Sequence, residues 1–217
     1  MRVLLSTSVL ALVLASSAHG ADLMVAPVEM SNTYDWSGFY AGVIGGYGWG
    51  NTALTVMGVT TNIGTSGWLL GVDAGANAQW DMFVLGVEGD VAWSNIGATS
   101  TALGASATTT LEWLATLRGR AGVAVEQALI YATAGLAIGG VKTTTVIPSS
   151  FSSTHTGWTV GAGVEYAATE TISLKAEYSY TDLGAVSDGG ALTPGFGAAI
   201  SIRPTVHAVK VGANFHF

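Results

Sequence analysis

The sequence predicts an all-β fold: an eight-stranded antiparallel up-and-down transmembrane β-barrel that closes on itself. Three observations predict it. Roughly eight runs alternate apolar residues with period two, the spacing of a strand with one greasy face. Charged residues make up only 10% of the chain and the mean hydropathy is +0.48, whereas a soluble domain carries about 25% charge. The last run, Val209 to Phe217, alternates to its final aromatic. Such a strand has to close something, and pairing it with the first strand leaves no edge open to lipid.

The N-terminus reads as an export signal. Arg2 supplies the positive charge, Val3 to Ala15 a short apolar stretch, and Ala18-His19-Gly20 the small residues of a cleavage site. The stretch is shorter than the roughly 20 residues of a spanning helix. The expected organisation is a signal peptide at 1–20, a short periplasmic N-terminal segment at 21–35, and the barrel at 36–217. Both termini are expected in the periplasm, with no separate cell-wall-binding domain.

The first strand is expected over Gly38 to Trp49, with Phe39, Ala41, Val43, Tyr47 and Trp49 in phase. The second, Gly67 to Trp80, aligns Trp68, Leu70, Val72 and Trp80. The third, Met82 to Ser94, aligns Phe83, Leu85, Val87, Val91 and Trp93. The fourth, Thr109 to Gly122, aligns Leu111, Trp113, Ala115 and Leu117. The fifth, Ala128 to Gly140, aligns Ile130, Ala132, Leu136 and Ile138, although Leu129 and Tyr131 blur its alternation. The sixth, Gly157 to Ala167, aligns Trp158, Val160, Val164 and Tyr166. The seventh, Ile172 to Thr181, aligns Leu174, Ala176, Tyr178 and Tyr180. The eighth, Thr205 to Phe217, aligns Val209, Val211, Ala213, Phe215 and Phe217. Ala121 to Val141 is long and mostly apolar, but Glu126, Gln127 and its glycines mark it as a turn between strands rather than a helix.

Asp73, Glu88, Asp90, Glu112, Arg118, Arg120, Glu165, Lys175, Glu177 and Lys210 fall inside these strands, each opposite the apolar phase. A Lys or Arg facing lipid at the midplane costs roughly 2–4 kcal/mol, so a one-residue slip would be expensive. These ten residues are expected to form a charge network in the lumen.

Connections alternate in length. Short turns are expected at Trp80-Asp81, Val123 to Gln127 and Ala168 to Thr171. Long loops are expected over Gly50 to Ser66, Asn95 to Thr108, Val141 to Thr156 and Asp182 to Pro204. Outer-membrane barrels place short turns in the periplasm and long loops outside. Pro148 and Pro194 fall in the loops and Pro204 just before the last strand. The aromatics supply a ruler. Trp49, Trp68, Trp93, Trp113 and Trp158 lie at the long-loop ends, and Phe39, Trp80, Phe83, Tyr166 and Phe215 at the short-turn ends. Ten residues separate the levels, about 25 Å along the normal of a tilted strand. These residues are expected to form two interfacial girdles.

The run Asp35-Trp36-Ser37-Gly38-Phe39-Tyr40-Ala41-Gly42, continuing through Gly45-Gly46-Tyr47-Gly48-Trp49-Gly50, resembles the first strand of small porin-like outer-membrane proteins of Gram-negative bacteria, the opacity-type or major surface protein group. Asn214-Phe215-His216-Phe217 resembles that family's closing strand. The resemblance implies a cell outer membrane location. It also implies that the barrel-assembly machinery reads Val211, Ala213, Phe215 and Phe217. Family members are described as porins or surface antigens, and some are implicated in haem binding or host contact.

Without Arg2, six basic residues face fourteen acidic ones, a net charge of −8 (6 − 14). That balance disfavours nucleic acid as a partner. There is no cysteine, hence no disulfide framework or thiolate metal site. Expected partners are outer-membrane lipid and lipopolysaccharide, the assembly machinery, and a host or surface ligand at the loops. No cofactor is expected.

Glu88 with Asp90, and Arg118 with Arg120, invite a catalytic reading. An eight-stranded barrel is only wide enough to be filled by side chains, and buried charges must then pair. His155 is expected in the third long loop, His207 outside near the outer rim and His216 in the lumen near the periplasmic end. Neither His155 nor His207 has a serine two residues on, the spacing of lipid-A deacylase-type barrels. No catalytic and no metal residue is assigned. The expected role is structural and surface-interacting, the alternative is a pore for small solutes, and a lipid-modifying enzyme stands third.

Overall fold

The structure is a computed structural model that describes residues 34–56, 59–102, 105–145, 150–187 and 200–217. The expected signal peptide and residues 21–33 lie outside the described residues. Among the described residues nine strands form one antiparallel sheet: β1 (Gly38–Val56), β2 (Val59–Trp80), β3 (Phe83–Ala102), β4 (Ala105–Val125), β5 (Ala128–Thr145), β6 (Ser150–Ala167), β7 (Ile172–Asp182), β8 (Val186–Ser187) and β9 (Ile200–His216). Each long strand pairs with its sequence neighbour, β7 pairs with β9, and β9 pairs with β1 from Tyr40↔His216 to Val56↔Ile200. The eight long strands therefore close into a barrel. The two-residue β8 adds to β9 above β7.

The short turns are as tight as the sequence implies. Trp80 pairs with Phe83 across Asp81-Met82, and Val125 with Ala128 across Glu126-Gln127. Asp81 and Glu126 take the left-handed φ that a two-residue hairpin demands (56° and 54°). Ala121 to Val141 is the end of β4, this second turn and most of β5, in keeping with its glycine punctuation.

The other end differs from expectation. The described residues of three of the four expected long loops are strands. β1 and β2 stay paired out to Val56↔Val59, β3 and β4 to Ala102↔Ala105, and β5 and β6 to Thr144↔Ser150. Their threonine and serine content reads as loop composition, yet runs such as Thr108 to Thr110 and Thr143 to Thr145 are β-branched and suit a pleated ladder. In the fourth, residues 188–199 lie outside the described residues. His155 therefore sits in β6, fully buried, and not in a loop. Pro204 is inside β9 opposite Thr52 rather than ahead of it. Its carbonyl accepts the Leu183 N–H at 3.1 Å, a bond that needs no proline donor.

The sides of the sheet are sharply divided. Val43, Leu70, Val87, Leu117, Leu136 and Val211 are each more than half exposed on the outside. Asp73, Glu88, Arg118, Arg120, Glu165 and Glu177 are at most 3% exposed on the inside. One strand breaks the phase. Trp93 pairs with Trp113 and Ile96 with Leu111, while across β5 Leu111 and Trp113 meet the adjacent residues Val141 and Gly140. Glu112 is the extra residue of a β-bulge, which flips the parity above it.

Candidate functional site

The lumen has three levels. At the short-turn end, Trp36, Val84, Ala124, Leu129, Tyr131 and Ala167 form an apolar floor, with Tyr34 packed against it. The residues just ahead of β1 fold back under the barrel to make it. The Tyr34 N–H donates to the Glu126 carbonyl at 3.0 Å, and the Trp36 N–H to Gln79 Oε1 at 2.8 Å. Trp36 is fully buried, and its ring lies edge-on to Tyr34 at 4.8 Å and to His216 at 5.7 Å.

Above the floor lies an ionic level drawn from six strands. Arg118 of β4 joins Glu88 and Asp90 of β3 and Glu177 of β7, the last two at 3.1 and 2.6 Å. Lys175 bridges Asp73 of β2 to Glu88, at 3.1 Å from Glu88. Lys210 of β9 reaches Glu177 at 2.8 Å. Arg120 pairs with Glu165 of β6 and lies 3.7 Å from Glu88. Two tyrosines complete the sphere: Tyr40 donates to Glu88 at 2.8 Å and Tyr131 to Glu177 at 3.3 Å. The Arg120 guanidinium stacks 3.8 Å above the Tyr131 ring, a cation–π contact that orients it. Gly75 and Gly163 make room for these rings. A Cβ at Gly75 would meet Tyr40 at 2.5 Å, and one at Gly163 would meet Tyr131 at 2.7 Å.

Nine of the ten charged residues expected in the lumen meet here. Glu112 does not. The bulge turns it out to the rim, where its half-exposed carboxylate lies 3.6 Å from Lys142, equally exposed. Five carboxylates and four cations remain inside.

The third level is an apolar plug that the sequence reading did not anticipate. Leu69, Ile96, Leu111, Val141, Leu183 and Val206, with smaller neighbours, meet across the lumen. All but Leu111 sit at inward parity in the sequence, so the signal was present. It was hidden because the apolar phase of each strand was assigned wholly to lipid, and at Leu111 the bulge reversed it. Between plug and ionic level lies a cavity of ≈ 10 Å³ bordered by Asp90, Thr116 and Lys210, room for about one water.

The girdle residues Phe39, Trp49, Trp68, Trp80, Phe83, Trp93, Trp158, Tyr166 and Phe215 are exposed on the outer face, while Trp113 is half-buried beside Gly140. Of the C-terminal residues, Val211, Phe215 and Phe217 are exposed and Ala213 is half-buried. The Phe217 N–H donates to the Phe39 carbonyl at 3.0 Å, completing the seam.

Ser173, His216 and Glu165 come together at the floor. Ser173 Oγ donates to Glu165 and lies 2.9 Å from His216 Nε2, and Asn214 donates to the same carboxylate at 2.8 Å. A hydroxyl whose proton is committed to a carboxylate is not handing it to the imidazole, and Ser173 is fully buried. The order of a nucleophile, its base and an orienting acid is not met. His207 faces outward, bonded to the Tyr178 hydroxyl at 2.6 Å. No group of metal-ligating side chains occurs among the described residues.

Comparison with known proteins agrees with this architecture. The family described as "Outer membrane protein beta-barrel domain" matches residues 7–217. The 31 kDa outer-membrane immunogenic protein of Brucella melitensis biotype 1 is 34% identical over 239 residues, covering 96% of this chain and 97% of that protein. The 22 kDa outer membrane protein of Rhizobium leguminosarum bv. viciae is 34% identical over 195 residues, covering 88% and 82%. The crystal structure of the outer membrane protein OprG from Pseudomonas aeruginosa shares the fold, with a TM-score of 0.51 and 16% identity over 87% of this chain and 100% of that one. The chain belongs to the outer membrane protein beta-barrel domain family and is a protein of the bacterial outer membrane.

Proposed function

We propose that the protein is a sealed, non-conducting barrel whose role is structural and whose working surface is its extracellular rim. The three-level filling of the lumen carries this reading. An apolar floor, an ion-paired middle and an apolar plug replace the continuous wet path that a porin needs. The mean cost of breaking one buried ion pair, about 3–5 kcal/mol, opposes transient opening. The strands that run on past the outer tryptophans are rich in threonine and serine and poor in charge. Relatives named as immunogenic proteins support a role for that surface in contact with the outside. A host or surface ligand there, lipopolysaccharide around the girdles, and the assembly machinery at Val211, Ala213, Phe215 and Phe217 are the partners this reading expects.

The reading is non-enzymatic. The commitment of the Ser173 proton to Glu165, at a site shut off by Trp36 and Tyr34, supports a structural role for this serine–histidine–acid cluster. Planar-bilayer recording tests the sealed lumen. The purified folded protein is expected to give no reproducible conductance steps, and steps of constant size in every preparation would establish the pore instead.

A further inference from the structure

We propose that His155 is an acid-operated latch on the extracellular corner of the barrel. Neutral, it seats the Leu183-Gly184 corner in the lumen; protonated, it releases that corner. The ring belongs to β6 and lies three residues beyond the outer-girdle Trp158, above the lipid-facing band. It is fully buried. Its Nε2 lies 2.9 Å from the Ser153 hydroxyl, and its Nδ1 makes no hydrogen bond. A neutral imidazole can leave one nitrogen bare at modest cost, whereas an imidazolium carries two N–H donors and a full charge.

The surroundings offer that charge no partner. β5 faces the ring with Gly139, its register partner, flanked on the inner face by the buried Ala137 and Val141. Lys142 of β5 is half-exposed and pairs with Glu112 at the rim. The plug beside the ring is built from apolar residues, Ile96, Leu111 and Val206 among them. Asp90 and Lys210 lie beneath the plug, around the small cavity. At the corner itself, Arg203 grips the Asp182 carboxylate with bonds of 3.2 and 2.6 Å. Among the described residues no charged group acts on His155.

The corner leans on the strand that carries the ring. A Cβ at Gly157 would stand 1.8 Å from the Asp182 carbonyl oxygen and 2.7 Å from Leu183 Cα, and one at Gly184 would stand 2.9 Å from the Thr156 carbonyl oxygen. Over Gly139, a Cβ would meet Leu183 Cδ1 at 3.1 Å and Leu111 Cδ1 at 3.0 Å. Leu183 thus fills the space beside His155, and its N–H donates to the Pro204 carbonyl at 3.1 Å. Hydrating an imidazolium here means lifting Leu183 and Gly184 off the wall. Release leaves the ionic level and the floor in place, so conductance tests the sealed lumen separately.

Burial holds the imidazole below the usual histidine range, and the Gly184 backbone offsets this only in part. The open corner therefore binds the proton more readily than the closed one. Closure is at full strength above about pH 6.5 and weakens as the pH falls below it, by up to about tenfold in the opening equilibrium per pH unit.

The test follows hydrogen exchange of the Leu183 amide in the full-length folded protein at about pH 7.5 and about pH 5, corrected for the intrinsic pH dependence of exchange. The Ala124 amide, bonded to the Met82 carbonyl at 2.7 Å at the short-turn end, is the internal reference. Leu183 protection is expected to fall by about five- to thirtyfold relative to Ala124. His155→Gln and His155→Leu, whose folding is confirmed by faster gel migration before boiling, are each expected to abolish that pH dependence, whatever their protection at the higher pH. Unchanged Leu183 protection in the wild type overturns the proposal. So does a pH dependence retained in either variant, which would place the proton on another group such as Asp182.

Discussion

Arg118 shows how much one side chain carries in this lumen. It touches three carboxylates, Glu88, Asp90 and Glu177, and donates to the Thr133 hydroxyl at 3.2 Å. Its side chain is 1% exposed. Arg118→Met keeps the bulk and removes the charge, leaving three acids that only Lys175, Lys210 and distant Arg120 still offset. A loss of about 3–5 kcal/mol is expected, measured as a lower urea midpoint for the folded barrel. Lys142→Met removes the exposed partner of Glu112 and is expected to shift stability by less than about 1 kcal/mol. Similar effects from the two substitutions would refute the distinction between lumen and rim. The inward direction of Arg118 was legible, because a charge at its parity had only one place to go. Its partners were not, since they come from strands up to 59 residues away and depend on barrel shear. Trp36, the tryptophan without a place in either girdle, was the residue whose burial a closer look at parity would have found.

At the scale of elements, the sequence located strands well and misjudged their ends. The turn ends were legible because polar turn residues interrupt apolar runs abruptly. The outer ends were not, because lipid stops there while the ladder continues, and the alternation used to find strands reports lipid rather than hydrogen bonds. The bulge at Glu112 escaped for a related reason. Leu111 and Trp113 keep a perfect alternation in sequence that the backbone does not keep in space. The turns themselves carry local strain. Glu126 sits at φ 54°, where an L-residue costs about 1–2 kcal/mol. Glycine removes that strain but adds about 0.5–1 kcal/mol of unfolded-chain entropy. Glu126→Gly is therefore expected to stabilise the barrel by roughly 0.5–1 kcal/mol, read as a higher urea midpoint. A lower midpoint would mean that the Glu126 side chain does more than occupy the turn.

For the whole molecule, the open question left by the sequence was whether the interior conducts or is plugged. Charge alone pointed both ways, since porins and salt-bridged cores both place ionised groups inside. The plug at Leu69, Ile96, Leu111 and Leu183 weighs on that choice, and it was invisible while only the outward apolar phase of each strand was read. The three lysines of the chain turn this into a direct measurement. Lys142 stands at the rim with its side chain 48% exposed. Lys175 and Lys210 lie in the lumen at 3% and 9%, locked to Asp73, Glu88 and Glu177. A membrane-impermeant amine reagent added to the folded protein is expected to modify Lys142 and the N-terminus alone. After boiling in detergent, all three lysines should react to similar extents, which controls for intrinsic reactivity. Peptide mass mapping reads both states in one experiment. Modification of Lys210 in the folded barrel would mean water and solute pass the plug, and modification of Lys175 as well would mean that they reach the centre of the ionic level.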